Sequence, residues 1–222
     1  MMNNLFSSFD PSTSLSLSLN WMSTLIGMML LPLSFWTMPN RLMNMINLMI
    51  KNLNKEFKML LGNKSKGLSM MMIGLFMFIL MNNTMGLLPY VFTSSSHMTF
   101  TLALALPLWV SFMLFGWMNN TKHMLAHMVP NGTPSVLMPF MVMIETISNL
   151  IRPGSLAVRL TANMIAGHLL MSLLGNNSIS AGSSSLILIA SIQVMLMMFE
   201  TAVSFIQAYV FSVLSTLYSS EV

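Results

Sequence analysis

The sequence predicts an all-α integral membrane protein: about five membrane-crossing helices plus an interfacial amphipathic helix, the last two crossing segments unusually long. Three observations point that way. Of 222 residues, 55% are hydrophobic and only 6% are charged, where soluble domains carry about 25% charge. Apolar stretches of bilayer-spanning length recur from residue 19 to residue 218. The last two of them, 136–174 and 186–218, are too long for one perpendicular crossing. So few charges cannot cover a soluble globule of this size, which excludes a soluble enzyme, a disordered chain and a collagen-like fibre. The whole chain, 1–222, reads as a single membrane domain.

The elements follow in order. A polar Ser/Asn-rich start with a turn at Asp10-Pro11 leads into a first span over 19–38, which Pro32 can kink. Over 41–61, Leu42, Met45, Ile46, Met49, Leu53, Phe57 and Leu60 recur at helical spacing. Asn44, Lys51, Asn52, Lys55 and Lys58 fill much of the other face. This is an amphipathic helix, lying in the membrane interface or docking on a partner. Gly62 to Gly67 is a turn. Spans over 68–88 and 97–118 follow, broken by Thr93-Ser94-Ser95-Ser96. Asn82, Asn83 and Thr84, late in the first of these, are expected to face protein or water rather than lipid. The loop from Asn119 to Ser135 holds Lys122, His123, His127 and the breaker run Pro130–Pro134.

The final stretches, 136–174 and 186–218, flank a polar hairpin at Gly175–Ser185. As a helix the first reaches about 60 Å, against a hydrocarbon core of about 30 Å. Each is therefore either broken, with Pro139 and Pro153-Gly154 as kinks, or steeply tilted.

Charge sets the orientation. Net charge is +4, and six of the nine basic residues fall between Arg41 and Lys66 beside one acid, Glu56. That cluster and Lys122 are separated by two spans, so both fall on one side, the matrix or cytoplasm. A basic cluster flanked by spans is a membrane-topology signal rather than a nucleic-acid interface. Met, at 29 residues, stands in for Leu and Ile as filler. No Cys is present, which excludes disulfides and thiolate metal sites. The first Lys or Arg is Arg41, so neither a secretory signal nor a transit peptide is expected, and an organellar chain of this kind is made in the organelle.

Between 123 and 220 the formally charged residues are Glu145, Arg152, Arg159 and Glu200, all inside the long apolar stretches with His168 beside them. Each costs roughly 2.5–3.5 kcal/mol at membrane depth and marks a functional candidate. Glu145, Arg152 and Arg159 recur every seven residues on one helix face. The plainest reading is a set of structural salt bridges. One glutamate cannot neutralise two arginines, however, so Arg159 requires a partner from outside the stripe. Arg159 cannot relay protons, since a guanidinium stays protonated when buried. Glu145, His168 and Glu200 can be tuned for relay. His168 lies nine positions after Arg159, half a revolution round the helix, and Glu200 and Gln207 share a face of the last helix. His123 and His127 have ligand spacing but no third ligand nearby, so no metal is expected. No phosphate loop or nucleophile–base arrangement is visible, and neither catalysis nor a cofactor is expected.

The run Ser148-Asn149-Leu150-Ile151-Arg152-Pro153, continued by Ser155-Leu156-Ala157-Val158-Arg159-Leu160-Thr161-Ala162-Asn163-Met164, resembles the signature of subunit a of the rotary F-type ATP synthase. Ala166-Gly167-His168-Leu169-Leu170, Glu200 and Ile206-Gln207-Ala208-Tyr209-Val210-Phe211 extend the likeness, as does the order of apolar segments along the whole chain. The resemblance implies a non-catalytic, proton-translocating stator subunit whose last two helices are long and tilted as a hairpin. In that family Arg159 would face the rotating c-ring with Asn163 and Gln207 beside it. His168 and Glu200 would form the polar pair of the uptake half-channel, Glu145 the carboxylate of the release half-channel, and Arg152 a secondary, structural charge. The implied partners are the c-ring, the peripheral stalk subunit b, other Fo subunits, the lipid bilayer and protons. The placing of His on the first helix and Glu on the second resembles the mitochondrially encoded form, and the Met-rich, Cys-free composition an invertebrate one. The inner membrane then holds the chain with its N-terminus in the intermembrane space and its C-terminus on the matrix side. The rival classes are a self-contained ion channel, which would conduct as the purified chain alone, and a structural or quinone-binding subunit of a respiratory complex, in which Arg159 would pair internally.

Overall fold

A computed structural model describes residues 5–13, 17–32, 38–62, 67–129, 134–180 and 182–221. Every regular element among them is helical. In chain order these are α1 (Ser23–Met29), α2 (Arg41–Leu61), α3 (Leu68–Gly86), α4 (Met98–Asn119), α5 (Thr121–His127), α6 (Met138–Ser180) and α7 (Ser183–Glu221). Short 3-10 turns occupy Leu5–Phe9, Leu19–Met22 and Ser94–Ser96. Among the described residues four helices, α3, α4, α6 and α7, are long and apolar enough to cross a membrane.

The segment expected to span 19–38 is helical from Leu19 to Met29, in a 3-10 turn followed by α1. Regular helix ends three residues before Pro32, whose ring removes a donor and restricts the residue before it. Residues 33–37 lie outside the described residues, as do Asn63–Lys66 of the turn and Pro130–Thr133 of the breaker run. The loop 119–135 contains the short helix α5, which the sequence reading treated as irregular.

The two overlong stretches are unbroken helices of 43 and 39 residues. α6 runs through Pro153, so tilt rather than a break accommodates its length. The helices extend past the expected boundaries: α6 ends at Ser180 and α7 begins at Ser183, both inside the stretch expected as a polar hairpin. They pack antiparallel: Arg152 meets Tyr218, Asn163 meets Gln207, Gly167 meets Glu200 and Gly175 meets Gln193.

Two apolar clusters hold the bundle. Leu156, Ala157 and Leu160 of α6 pack with Ala208 and Phe211 of α7, Ile79 of α3 and Ala105 of α4. These residues turn one face of α6 inward and leave Arg159 on the other. In the second cluster Phe57 of α2, fully buried, packs on Met72 and Ile73 of α3, with Val213 of α7 against it. The amphipathic stripe of α2 is therefore divided. Its C-terminal part docks on the bundle, and the Tyr209 hydroxyl donates to Glu56 Oε2 at 3.2 Å. Leu42, Met45 and Met49 remain exposed for lipid. Gly62 and Gly67, both at positive φ, allow the reversal from α2 into α3.

The polar Thr93–Ser96 break is buried rather than exposed. It lies against α3, α4 and α6, with Thr93 and Ser96 bonded to each other through their hydroxyls at 3.1 Å. Asn82 and Asn83 are also buried in the bundle. Asn82 donates to the Phe78 carbonyl at 3.1 Å, and Thr84 to the Leu80 carbonyl at 2.9 Å.

Candidate functional site

The α6–α7 hairpin displays the polar residues of interest at three levels. Glu145, Arg159 and His168 are separated along α6 by fourteen and nine residues, rises of about 21 and 14 Å. The row thus covers the thickness of a bilayer core, with Arg159 between two differently built ends.

At one end Arg152 Nη2 donates to Glu145 Oε1 at 3.3 Å, one pair seven residues apart on the same helix. Both side chains are about a quarter exposed. The Arg152 guanidinium also stands over the Tyr218 ring of α7, 5.3 Å from its centroid. This end is charge-balanced and braced from both helices.

Arg159 is exposed, and among the described residues no hydrogen bond or ion pair reaches it. Ser155, Ala162, Asn163 and Ala166 surround it on the same exposed face of α6. Small neighbours of this kind let another helix approach closely. One turn on, Asn163 Nδ2 donates to Gln207 Oε1 at 3.1 Å, joining the two helices. Gln207 is buried, whereas Asn163 is exposed. Arg159, Asn163 and Gln207 are therefore neighbours, with the amide pair fixed across the hairpin.

At the other end His168 and Glu200 line one cavity of about 500 Å³, with Ser8, Tyr90, Ser172 and Asn176 also on its wall. Among the described residues, no hydrogen-bond partner reaches the buried His168 Nε2 and Glu200 Oε1. Gly167 makes this approach possible: a Cβ there would lie 2.8 Å from both Glu200 Cδ and Oε1. Glu200 therefore rests its carboxylate on the α6 backbone. Tyr90 holds a left-handed backbone, φ 67°, at the mouth. That conformation is uncommon for a bulky residue and clusters at functional sites. The N-terminal turn Leu5–Phe9 closes the assembly, its Phe9 ring standing edge-on to His168 at 6.2 Å between centroids.

Sequence reasoning quoted Gly167 and Tyr209 without giving them roles, and passed over Phe9, Tyr90 and Tyr218. Gly167 carried a signal, being the smallest residue beside a membrane-depth histidine. The other contacts come from distant parts of the chain, and nothing in local spacing announces them. His123 and His127 are exposed on α5, and among the described residues no third ligating side chain joins them.

An all-α multi-pass fold with an unpaired arginine midway along a helix hairpin, and ionisable residues to either side, describes a class of membrane protein that handles charge. Comparison with known proteins supplies the family. A model of the ATP synthase A chain family matches residues 17–220. Curated proteins named ATP synthase subunit a align over the full length of both chains, with 62% identity for Anopheles gambiae, 60% for Locusta migratoria and 59% for Drosophila melanogaster. The chain belongs to the ATP synthase A chain family, whose members are non-catalytic membrane subunits of Fo. The relatives are insect proteins, in keeping with the invertebrate character of the composition.

Proposed function

We propose that this chain is the proton-translocating stator subunit of the mitochondrial ATP synthase and that Arg159 is its coupling residue. One observation carries the reading. Arg159 is an exposed guanidinium without an intramolecular partner among the described residues, on a face of α6 lined by small side chains. A membrane-depth cation needs a counter-charge. The c-ring supplies one when an ionised ring carboxylate reaches it.

Protons enter from the intermembrane space through the cavity of His168 and Glu200, whose unpartnered buried atoms suit an aqueous path. They neutralise a ring carboxylate, which can then turn into lipid. After nearly a full rotation that carboxylate meets the second half-channel beside Glu145 and releases its proton to the matrix. Arg159 holds the ionised carboxylate between the two channels and blocks a direct leak, because it accepts no proton itself. Asn163 and Gln207 fix the face on which it stands. Each proton descending 100 mV delivers roughly 2.3 kcal/mol, so several must pass for each ATP made in the catalytic head.

The orientation that fits is an N-terminus in the intermembrane space and a C-terminus in the matrix. It puts the Leu5–Phe9 turn beside the uptake cavity, and the basic α2 with the end of α7 on the positive side. The peripheral stalk subunit b, other Fo subunits and lipid occupy the remaining exposed apolar surface. The test is Arg159→Ala and Arg159→Lys in inner-membrane vesicles. Both variants should abolish ATP-driven proton pumping and ATP synthesis while the complex still assembles, since an ammonium can lose its proton where a guanidinium cannot. Coupled synthesis retained in Arg159→Ala would overturn the mechanism.

A further inference from the structure

We infer that the N-terminal turn Leu5–Phe9 is a built wall of the proton-uptake cavity, with Phe9 as its seal and His97 as the residue that positions it. The inference rests on the half-channel reading of the His168–Glu200 cavity. Leu5–Phe9 belongs to neither long helix, yet it packs on α6, and the Phe9 ring stands edge-on to His168. Ser8 lines the same cavity. A five-residue turn cannot hold such a place by its own helical bonds, so its anchors decide whether it is a wall or a loose end.

Those anchors are specific. His97, 88 residues away at the start of α4, bonds the Phe9 carbonyl through Nε2 at 2.8 Å. A carbonyl only accepts, so Nε2 carries the proton. The His97 ring is itself held by aromatic neighbours, stacked on Phe92 at 5.3 Å and tilted against Trp21 at 5.2 Å. The far side of the turn is tied down as well. Asp10 closes a local turn by accepting from the Ser12 backbone N–H at 3.1 Å, and the Asn20 amide donates to the Asp10 carbonyl at 3.3 Å. The segment is therefore fixed at Phe9 and at the residue after it, and Phe9 is the side chain it delivers to His168. Beyond excluding bulk water from one side of the imidazole, the ring restricts how His168 can turn within the cavity.

The absence of cysteine makes the idea testable in the assembled complex. Ser172 lines the cavity and spends its hydroxyl on its own helix, on the Leu169 carbonyl at 2.9 Å, so Ser172→Cys is a mild probe. A membrane-impermeant thiol reagent is added on the intermembrane-space side, and modification is read as a mass shift of this chain. Ser172→Cys should label slowly. Adding Phe9→Ala or His97→Ala should raise the rate by about tenfold, the order expected when a closed segment loses one contact or hydrogen bond. His97→Gln, whose amide can still donate to the Phe9 carbonyl, should keep the slow rate, which a merely structural effect of altering His97 would not do. Labelling unchanged by Phe9→Ala and His97→Ala, with Ser172→Cys itself reactive, would overturn the wall while leaving the half-channel intact. A Ser172→Cys that never labels from that side in any background would overturn the half-channel reading and this inference with it.

Discussion

The two ends of the α6–α7 hairpin are built on opposite principles. At the Glu145 end a carboxylate is met by Arg152 from its own helix, and Arg152 is capped by Tyr218 from the other. At the Glu200 end a carboxylate and an imidazole line a cavity with buried atoms that no group among the described residues satisfies. Unsatisfied buried polar groups are rare and call for an explanation. A purely structural hairpin would pair both ends alike. Under the proposed mechanism the asymmetry corresponds to one end that admits protons by hydration and another that holds its carboxylate beside a fixed positive charge. Arg159 between them belongs to neither end, which leaves it available to a group from outside the chain.

The largest effect is expected where the cavity end depends on a missing side chain. Gly167→Ala puts a Cβ 2.8 Å from the Glu200 carboxylate, and the carboxylate rather than the α6 backbone must move. Displacing a reacting group by about 1 Å can cost about 100-fold, so ATP-driven pumping in vesicles should fall by one to two orders of magnitude while hydrolysis by the catalytic head persists. Unchanged pumping would mean that the position of Glu200 does not matter. The next effect tests the clamp beside Arg159, where burial is unequal. Asn163→Ala leaves the buried Gln207 carbonyl without its donor, at a cost of about 1–3 kcal/mol. Gln207→Leu removes the buried polar group instead and leaves the Asn163 amide on the open face of α6, where a group from outside the chain can meet it, so it should cost less. Thermal unfolding of the solubilised complex should rank Asn163→Ala as the more damaging, and the reverse order would mean that Gln207 is satisfied by something other than Asn163.

Much of this was legible in the sequence, for physical reasons. Composition alone required a membrane, and a 3.6-residue apolar period required α2. Charges at membrane depth are expensive enough to stand out singly, which is how Glu145, Arg159, His168 and Glu200 were found. The heptad spacing of Glu145 and Arg152 made their shared face readable, and counting charges left Arg159 over. The uninterrupted course of α6 through Pro153 was not legible, because a proline in an apolar run permits either a kink or a tilted continuous helix. The Thr93–Ser96 turn read only as a polar break between spans, since its burial depends on α3, α4 and α6 closing over it. The aromatic walls were invisible for the same reason: Phe9 to His168, and Tyr218 to Arg152, are contacts between segments that carry no periodic mark.

At the paired end the expected effect is small. Arg152→Gln removes an ion pair whose members are each about a quarter exposed, and such pairs contribute up to about 1 kcal/mol. Pumping should stay within about fivefold of wild type, the ratio that 1 kcal/mol sets. A collapse comparable to Gly167→Ala would make Arg152 part of the path and erase the contrast between the ends.

The smallest effect concerns the turn that leads out of the cavity wall. Asp10 accepts from the Ser12 backbone N–H and from its hydroxyl at 2.9 Å, and these bonds hold its carboxyl below the usual aspartate value of 3.8. A depressed carboxylate stabilises the fold above its ordinary value and loses that contribution only as pH falls through the lowered one. Between pH 8 and pH 5 the turn should therefore hold, and hydrogen exchange over residues 5–13 should change with pH only as the intrinsic chemical rate does, its protection constant. Asp10→Asn keeps a side-chain acceptor and should leave exchange nearly unchanged, whereas Asp10→Ala should speed it. If Asp10→Asn loosens the segment as much as Asp10→Ala, the charge rather than the acceptor geometry holds the turn. The wall beside His168 would then depend on the electrostatics of the membrane surface instead of on its own hydrogen bonds.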